Sequence, residues 1–176
     1  MPKINGLNTD CLMAVVKSVK ENWQTGKTVW KATAKWVNGF EVETGSRNFS
    51  MKVDEPDMLC GTDTAANPVE IVVQAYGACL AIGFAMNATV RGINIESLDI
   101  ELEGEIDLPG FLGLEPPSEL GMDNLPGYKN VKAKIKVKAD ADEAALKDLL
   151  DAVTRTSPVG LTLSRPVALE AELEVV

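Results

Sequence analysis

The stretch NPVEIVVQAYGACLAIGFAMNATVRG, residues 67–92, decides the fold. Asn67 is a helix-capping residue, and Pro68 fits the first helical position, where a missing N–H costs nothing. Every residue from Ile71 to Val90 is uncharged, and Arg91-Gly92 closes the run with a C-terminal glycine signal. The pattern predicts one long helix that is apolar or small on every face. Its length suits a membrane span, but its many Ala and Gly residues, with Gln74, Asn87 and Thr89, make insertion weakly favourable, and there is no second span. A central helix buried in protein is expected, with no membrane partner. Such a helix must be covered on several sides, more than one sheet of this size provides. A second copy of the chain is the natural extra cover.

Toward the N-terminus, residues Asn8 to Trp23 read as a helix with Leu12, Val15, Val16 and Val19 as its apolar stripe, ended by Gly26. From Thr28 the period changes to two, with Val29, Lys31, Thr33 and Lys35 alternating with Trp30, Ala32, Ala34 and Trp36. Asn38-Gly39 predicts a type I′ hairpin turn, Gly45-Ser46 a second turn, and Arg47 to Val53 a further strand ending at Asp54-Glu55-Pro56. Beyond the long helix, Ile93 to Ile106 alternates with an acidic outer face. Asp107 to Gly127 is too rich in Gly and Pro for a regular element, and Tyr128 to Ala139 is a clean strand with lysines on one face. Asp140 to Thr154 is an amphipathic helix capped by Asp140 and Asp142. Ser157-Pro158-Val159 starts a turn or short helix, and Pro166 to Val176 reads as a last strand. The result is an α+β protein of one domain, residues 1–176, with a helical extension over 1–26 and a core over 28–176.

Among the 176 residues are three cysteines and no histidine. No Ser-His-Asp or Cys-His couple can exist, and no imidazole can bind a metal. Acid–base chemistry at neutral pH then needs a displaced carboxylate, thiol or amine. With 17 basic and 26 acidic residues, the formal charge of −9 repels phosphate backbones and argues against nucleic acid. Cys11, Cys60 and Cys79 form no CxxC or zinc spacing, so neither metal nor cofactor is expected. The N-terminus has no hydrophobic signal core, and a reducing cytoplasm is the simplest compartment.

Cysteine is the one strong nucleophile available. Cys79 lies in the middle of the uncharged helix, where a thiol is either an ordinary small core residue or, with a cation beside it, a reactive thiolate. Glu70 stands nine residues earlier. At about 100° and 1.5 Å per residue the two point to opposite faces, roughly 13 Å apart along the axis. As a first-turn acid Glu70 also simply offsets the helix dipole. Arg47 is the candidate cation, with Arg91, Arg155 and Arg165 as rivals. Cys60 sits in the loop before the helix as a possible redox partner, and Cys11 reads as structural.

Taken in order, Asp54-Glu55-Pro56, Gly61-Thr62-Asp63, Asn67-Pro68-Val69-Glu70 and Gly77-Ala78-Cys79-Leu80 resemble the OsmC/Ohr family. Arg91-Gly92-Ile93, Gly110-Phe111-Leu112-Gly113-Leu114, Pro126-Gly127-Tyr128 and Ser157-Pro158-Val159 extend the resemblance over residues 28–176. The helix over 8–23 resembles an extension in one OsmC-like branch. The resemblance implies curved antiparallel sheets around long central helices in an intertwined homodimer. It also implies reduction of organic hydroperoxides by a cysteine at the position of Cys79, assisted by an arginine and a glutamate, for which Arg47 and Glu70 are the candidates. The family's second cysteine, which closes a disulfide, is replaced here by Ser157. The family's acid directly follows the proline, where this chain has Val69 and places Glu70 one residue later. The expected function is therefore thiol-dependent peroxide reduction or peroxide sensing by Cys79, with an external thiol reductant or Cys60 resolving the sulfenic acid. The alternative is a non-catalytic relative that binds a small apolar ligand at the dimer interface.

Overall fold

Hydrophobic periodicity and capping chemistry account for most elements of the structure, a computed structural model that describes residues 3–122 and 125–176. Residues 1 and 2 of the expected N-terminal extension, and 123 and 124 of the expected Gly/Pro-rich stretch, lie outside the described residues. The chain divides into two units, Asn8–Gln74 with Glu101–Lys134, and residues 3–7 with Ala75–Ile100 and Ile135–Val176.

In the first unit, helix α1 spans Thr9–Glu21, and the Asn8 side chain caps it by accepting the Cys11 N–H at 3.1 Å. A 3-10 turn, Trp23–Gly26, follows, and no residue of α1 is buried. Strands β1 (Thr33–Asn38), β2 (Glu41–Ser46) and β3 (Phe49–Val53) form an antiparallel sheet in the order β1-β2-β3. Both hairpin turns differ from expectation. Asn38 pairs with Glu41, so the first turn is Gly39-Phe40, and of these two only Gly39 has a positive φ (+53°), which excludes type I′. Gly45 and Ser46 pair with Ser50 and Phe49 and belong to the strand. The second turn is Arg47-Asn48, with Arg47 itself left-handed at φ +58°. Cross-strand register selects these turns over the local Asn-Gly and Gly-Ser signals.

Asp54 follows β3 and is 1% exposed. Its carboxylate accepts the N–H groups of Glu55, Thr62 and Thr64 and the hydroxyls of Thr62 and Thr64, tying the loop that carries Cys60. The Thr62 hydroxyl, opposed by burial and supported by the other donors, holds this carboxyl well below the usual carboxylate range.

Helix α2 spans Pro68–Val90, as expected from its caps. Its start is a capping box: the Glu70 N–H donates to Asn67 Oδ1 and the Asn67 N–H to Glu70 Oε2, each at 2.8 Å. Tyr128 donates its hydroxyl to the Val69 carbonyl at 2.8 Å, and its ring lies so close over Gly104 that any Cβ there would meet it at 2.5 Å. At the other end, Gly92 is left-handed (φ +72°), with Gly92 N–H bonded to Thr89 O and Ile93 N–H to Ala88 O, a Schellman closure.

Strands β4 (Ile95–Ile106) and β5 (Tyr128–Ala139) form a second, two-stranded sheet whose outer faces oppose acids and lysines, as in Glu96 with Lys138 and Glu105 with Lys132. Between them, where no regular element is expected, Leu108–Phe111 forms a single helical turn, α3. Phe111, Leu112 and Leu114 in and just after this turn are exposed.

The second unit is built where α2 meets helix α4 (Glu143–Thr156), capped by Asp142 alone; Asp140 instead accepts both the backbone and side-chain N–H groups of Asn94. Leu80, Phe84, Ala88, Leu149 and Val153 are its buried apolar core. Gly83 is the point of close approach, since a Cβ there would lie 2.9 Å from Val153 Cγ1. Helix α5 (Pro158–Ser164) follows directly. The opposite face of α2 is uncovered, with Ile82 at 70%, Met86 at 38% and Val90 at 59% exposure. Among the described residues α2 is the one helix long and apolar enough to cross a membrane by length and composition. The last strand expected over 166–176 is not formed: these residues are exposed and pair with no strand among the described residues. Their alternation of Val167, Leu169, Leu173 and Val175 suits a strand, but a strand exists only with a hydrogen-bonded neighbour.

Candidate functional site

Cys79 lies midway along α2 and is half-buried. One face of the helix, through Leu80, Phe84 and Ala88, is fixed in the core, which sets the rotation of Cys79 beside it. Tyr76, one turn earlier, stands against Gly160 of α5. The chain leaves α4 at Thr156 and enters α5 at Pro158, and Ser157 between them is extended (φ −70°, ψ 111°) and 3% exposed. Proline at the first helical position and serine before it suit such an entry. Ser157 Oγ accepts the Gly160 N–H at 3.1 Å and lies 3.2 Å from Cys79 Sγ. Two residues 78 positions apart are thus joined by a part-buried hydroxyl–thiol contact.

The other expected site residues have different local settings. Arg47 is at the exposed tip of the β2–β3 turn rather than at a strand start, its guanidinium 5.0 Å from the Phe49 ring centroid. Arg155 and Arg165 each donate Nε to the carbonyl four residues earlier, Asp151 and Leu161. Among the described residues no arginine hydrogen-bonds to Cys79. Glu70 is exposed and engaged in the capping box, and its charge, after burial, helps raise the Tyr128 phenol above its usual value. An Asn-x-x-Glu spacing ahead of an apolar run carries this signal, which reading Glu70 only as a dipole-offsetting acid overlooks. Cys60 is exposed and left-handed (φ +66°) after the 3-10 turn Asp57–Leu59, and Cys11 is exposed on α1. Among the described residues no group of three or more Cys, Asp or Glu side chains is placed to hold a metal.

The first unit carries an apolar cavity of about 530 Å³ between the sheet and the start of α2, lined by residues that include Ala34, Val42, Phe49, Met51, Val53 and Ile71. Arg47 lines a separate, more polar hollow with Thr33, Lys35 and Glu43.

Solved structures share this architecture at low identity. An OsmC-like protein from Mycoplasma pneumoniae matches with a TM-score of 0.65 at 17% identity, covering 78% of this chain and 89% of its own. Organic hydroperoxide resistance proteins match from Elizabethkingia anophelis (TM-score 0.54, 17% identity, 77% of this chain and 87% of its own) and Legionella pneumophila (0.50, 16%, 76% and 88%). No curated protein sequence matches the chain. The family model described as OsmC-like protein matches residues 61–172, a span that includes α2, both long strands and the Cys79–Ser157 pair. The chain belongs to the OsmC-like protein family.

Proposed function

We propose that this chain reduces organic hydroperoxides, or responds to them, through Cys79. The observation that carries the reading is the half-buried Cys79 sulfur held 3.2 Å from the Ser157 hydroxyl, in a family whose structural neighbours include organic hydroperoxide resistance proteins. The thiolate would attack the distal peroxide oxygen: an S–O bond forms, the O–O bond breaks, and the alkoxide leaves and takes a proton to become an alcohol. Sulfur is oxidised by two electrons to the sulfenic acid and the hydroperoxide is reduced. Return requires an external thiol, which displaces the hydroxide as water and leaves a mixed disulfide for a second thiol to reduce. Serine at 157 cannot perform that step, since an oxygen forms no disulfide. The half-buried aromatic ring of Tyr76, one turn from Cys79, suits an organic peroxide better than hydrogen peroxide.

Arg47 is proposed as the cation for the thiolate, and Glu70 as the residue that holds the start of α2. A homodimer is proposed as the working form, because Ile82, Met86, Val90 and the apolar residues of 166–176 need a partner to cover them. Three free thiols suit a reducing cytoplasm.

The experiment follows consumption of an organic hydroperoxide by the reduced protein with a small dithiol as reductant. Activity is expected in the parent chain and Cys60→Ser, lost in Cys79→Ser and reduced in Arg47→Ala. Equal consumption by Cys79→Ser and the parent would overturn the reading. A second reading, binding of a small apolar ligand without chemistry, is favoured by the 530 Å³ apolar cavity. It predicts saturable fatty-acid or hydrocarbon binding that Cys79→Ser leaves intact.

A further inference from the structure

We propose that Ser157 is a positioning residue for Cys79, its hydroxyl donating to the sulfur once that sulfur has lost its proton. The proposal deepens the thiol reading above and concerns the one residue at which this chain departs from the two-cysteine pattern.

The direction of the bond follows from its partners. Ser157 Oγ already accepts the Gly160 N–H at 3.1 Å, and a backbone amide can only donate. That bond occupies an oxygen lone pair and leaves the hydroxyl proton for the other neighbour in reach, Cys79 Sγ at 3.2 Å. While Cys79 is a thiol, either atom can donate. A thiolate carries lone pairs alone, so ionisation fixes Ser157 as the donor. Burial gives this weight, because at 3% exposure the hydroxyl is not served by bulk water, and a half-buried thiolate without a donor is costly. The amide, hydroxyl and sulfur then form a chain in which the first bond polarises the second. The hydroxyl is held in place by its duty as the cap of α5, so the donor is set before the charge appears. Replacing the second cysteine by serine thus removes the disulfide step but keeps a polar contact that supports the reactive form of the first.

The test is alkylation of Cys79 by iodoacetamide as a function of pH, followed by mass in a Cys11→Ser/Cys60→Ser background. Ser157→Ala and Ser157→Gly should alkylate about tenfold more slowly than the parent at neutral pH, the scale of one hydrogen bond to a charged group. Their rates should converge with the parent at alkaline pH, where the thiol ionises without help. Ser157→Thr, which keeps the hydroxyl, should restore most of the neutral-pH rate. Glycine caps a helix nearly as well as serine, so its variant separates loss of the hydroxyl from loss of the cap. Neutral-pH rates in the alanine and glycine variants equal to the parent would overturn the proposal. Failure of the hydroperoxide reading looks different: the dependence on Ser157 persists in alkylation while Cys79 reacts with hydroperoxide no faster than free cysteine.

Discussion

Replacing Glu70 by alanine removes one half of the capping box that starts α2. The lost bond is the one from the Asn67 N–H to Glu70 Oε2, 2.8 Å long and charge-assisted. A hydrogen bond to a charged group contributes about 1.5–3 kcal/mol when shielded. Glu70 is exposed, so solvent screening reduces this to roughly 0.5–1 kcal/mol. The carboxylate also sits at the positive end of a 23-residue helix, an interaction of about 0.3–1 kcal/mol. The expected loss for Glu70→Ala is therefore about 1–2 kcal/mol. Glu70→Gln retains an acceptor that the box tolerates and loses the charge, for about 0.5 kcal/mol. Urea unfolding at one fixed protomer concentration reads both values. In thermal unfolding the alanine variant should melt roughly 2–8 °C lower, at about 2–4 °C per kcal/mol for a chain of this size. The order parent, glutamine, alanine is the signature of the cap, and equal midpoints in all three would refute it. The same pair separates a cap from a proton-transferring acid: the capping role predicts that Glu70→Gln keeps the hydroperoxide reactivity of Cys79, and its loss would assign Glu70 to the chemistry.

Gly83→Ala places a methyl 2.9 Å from Val153 Cγ1. Overpacking of about 1–3 kcal/mol should outweigh a helix-propensity gain of about 1 kcal/mol; thermal unfolding should show destabilisation that Val153→Ala relieves, and a single variant more stable than the parent would contradict this. For Asp54, whose folded carboxyl is held low, the stabilising contribution is complete above the ordinary carboxylate pKa of about 3.9 and is lost as pH falls below it. Melting temperature against pH should therefore fall less steeply toward acid in Asp54→Asn, and parallel curves would refute the loop-tying role. Ser157→Cys puts a second sulfur where an oxygen now lies 3.2 Å from Cys79 Sγ. Peroxide treatment should then give a disulfide between Cys79 and the introduced thiol, seen as a loss of two hydrogens in a peptide map, and a persistent sulfenic acid would contradict the placement.

The elements with strong internal signals were legible. Strand β5 runs Tyr128–Ala139 as the lysine alternation predicts, and α2 runs between the cap at Asn67 and the glycine at 92. What escaped was set by partners distant in sequence or absent from the chain. The turn at Arg47-Asn48 is fixed by the pairing of Ser46 with Phe49, and arginine in a left-handed conformation carries no turn signal of its own. Residues 166–176 have the alternation of a strand and, among the described residues, no strand to pair with. At the site, residue type and family resemblance point to Cys79 and Ser157. Their hydroxyl–thiol contact depends on α4 bringing the entry of α5 back to α2, which no local pattern encodes.

The reactivity of Cys79 is measured most directly by the rate at which each cysteine of the reduced chain forms a trapped sulfenic acid with an organic hydroperoxide. Cys11 and Cys60, both exposed, serve as ordinary thiols in the same molecule. Half-buried Cys79 is expected to be oxidised at least tenfold faster than either, and faster by the organic peroxide than by hydrogen peroxide. Oxidation of Cys79 at or below the rate of Cys11 and Cys60 would contradict this.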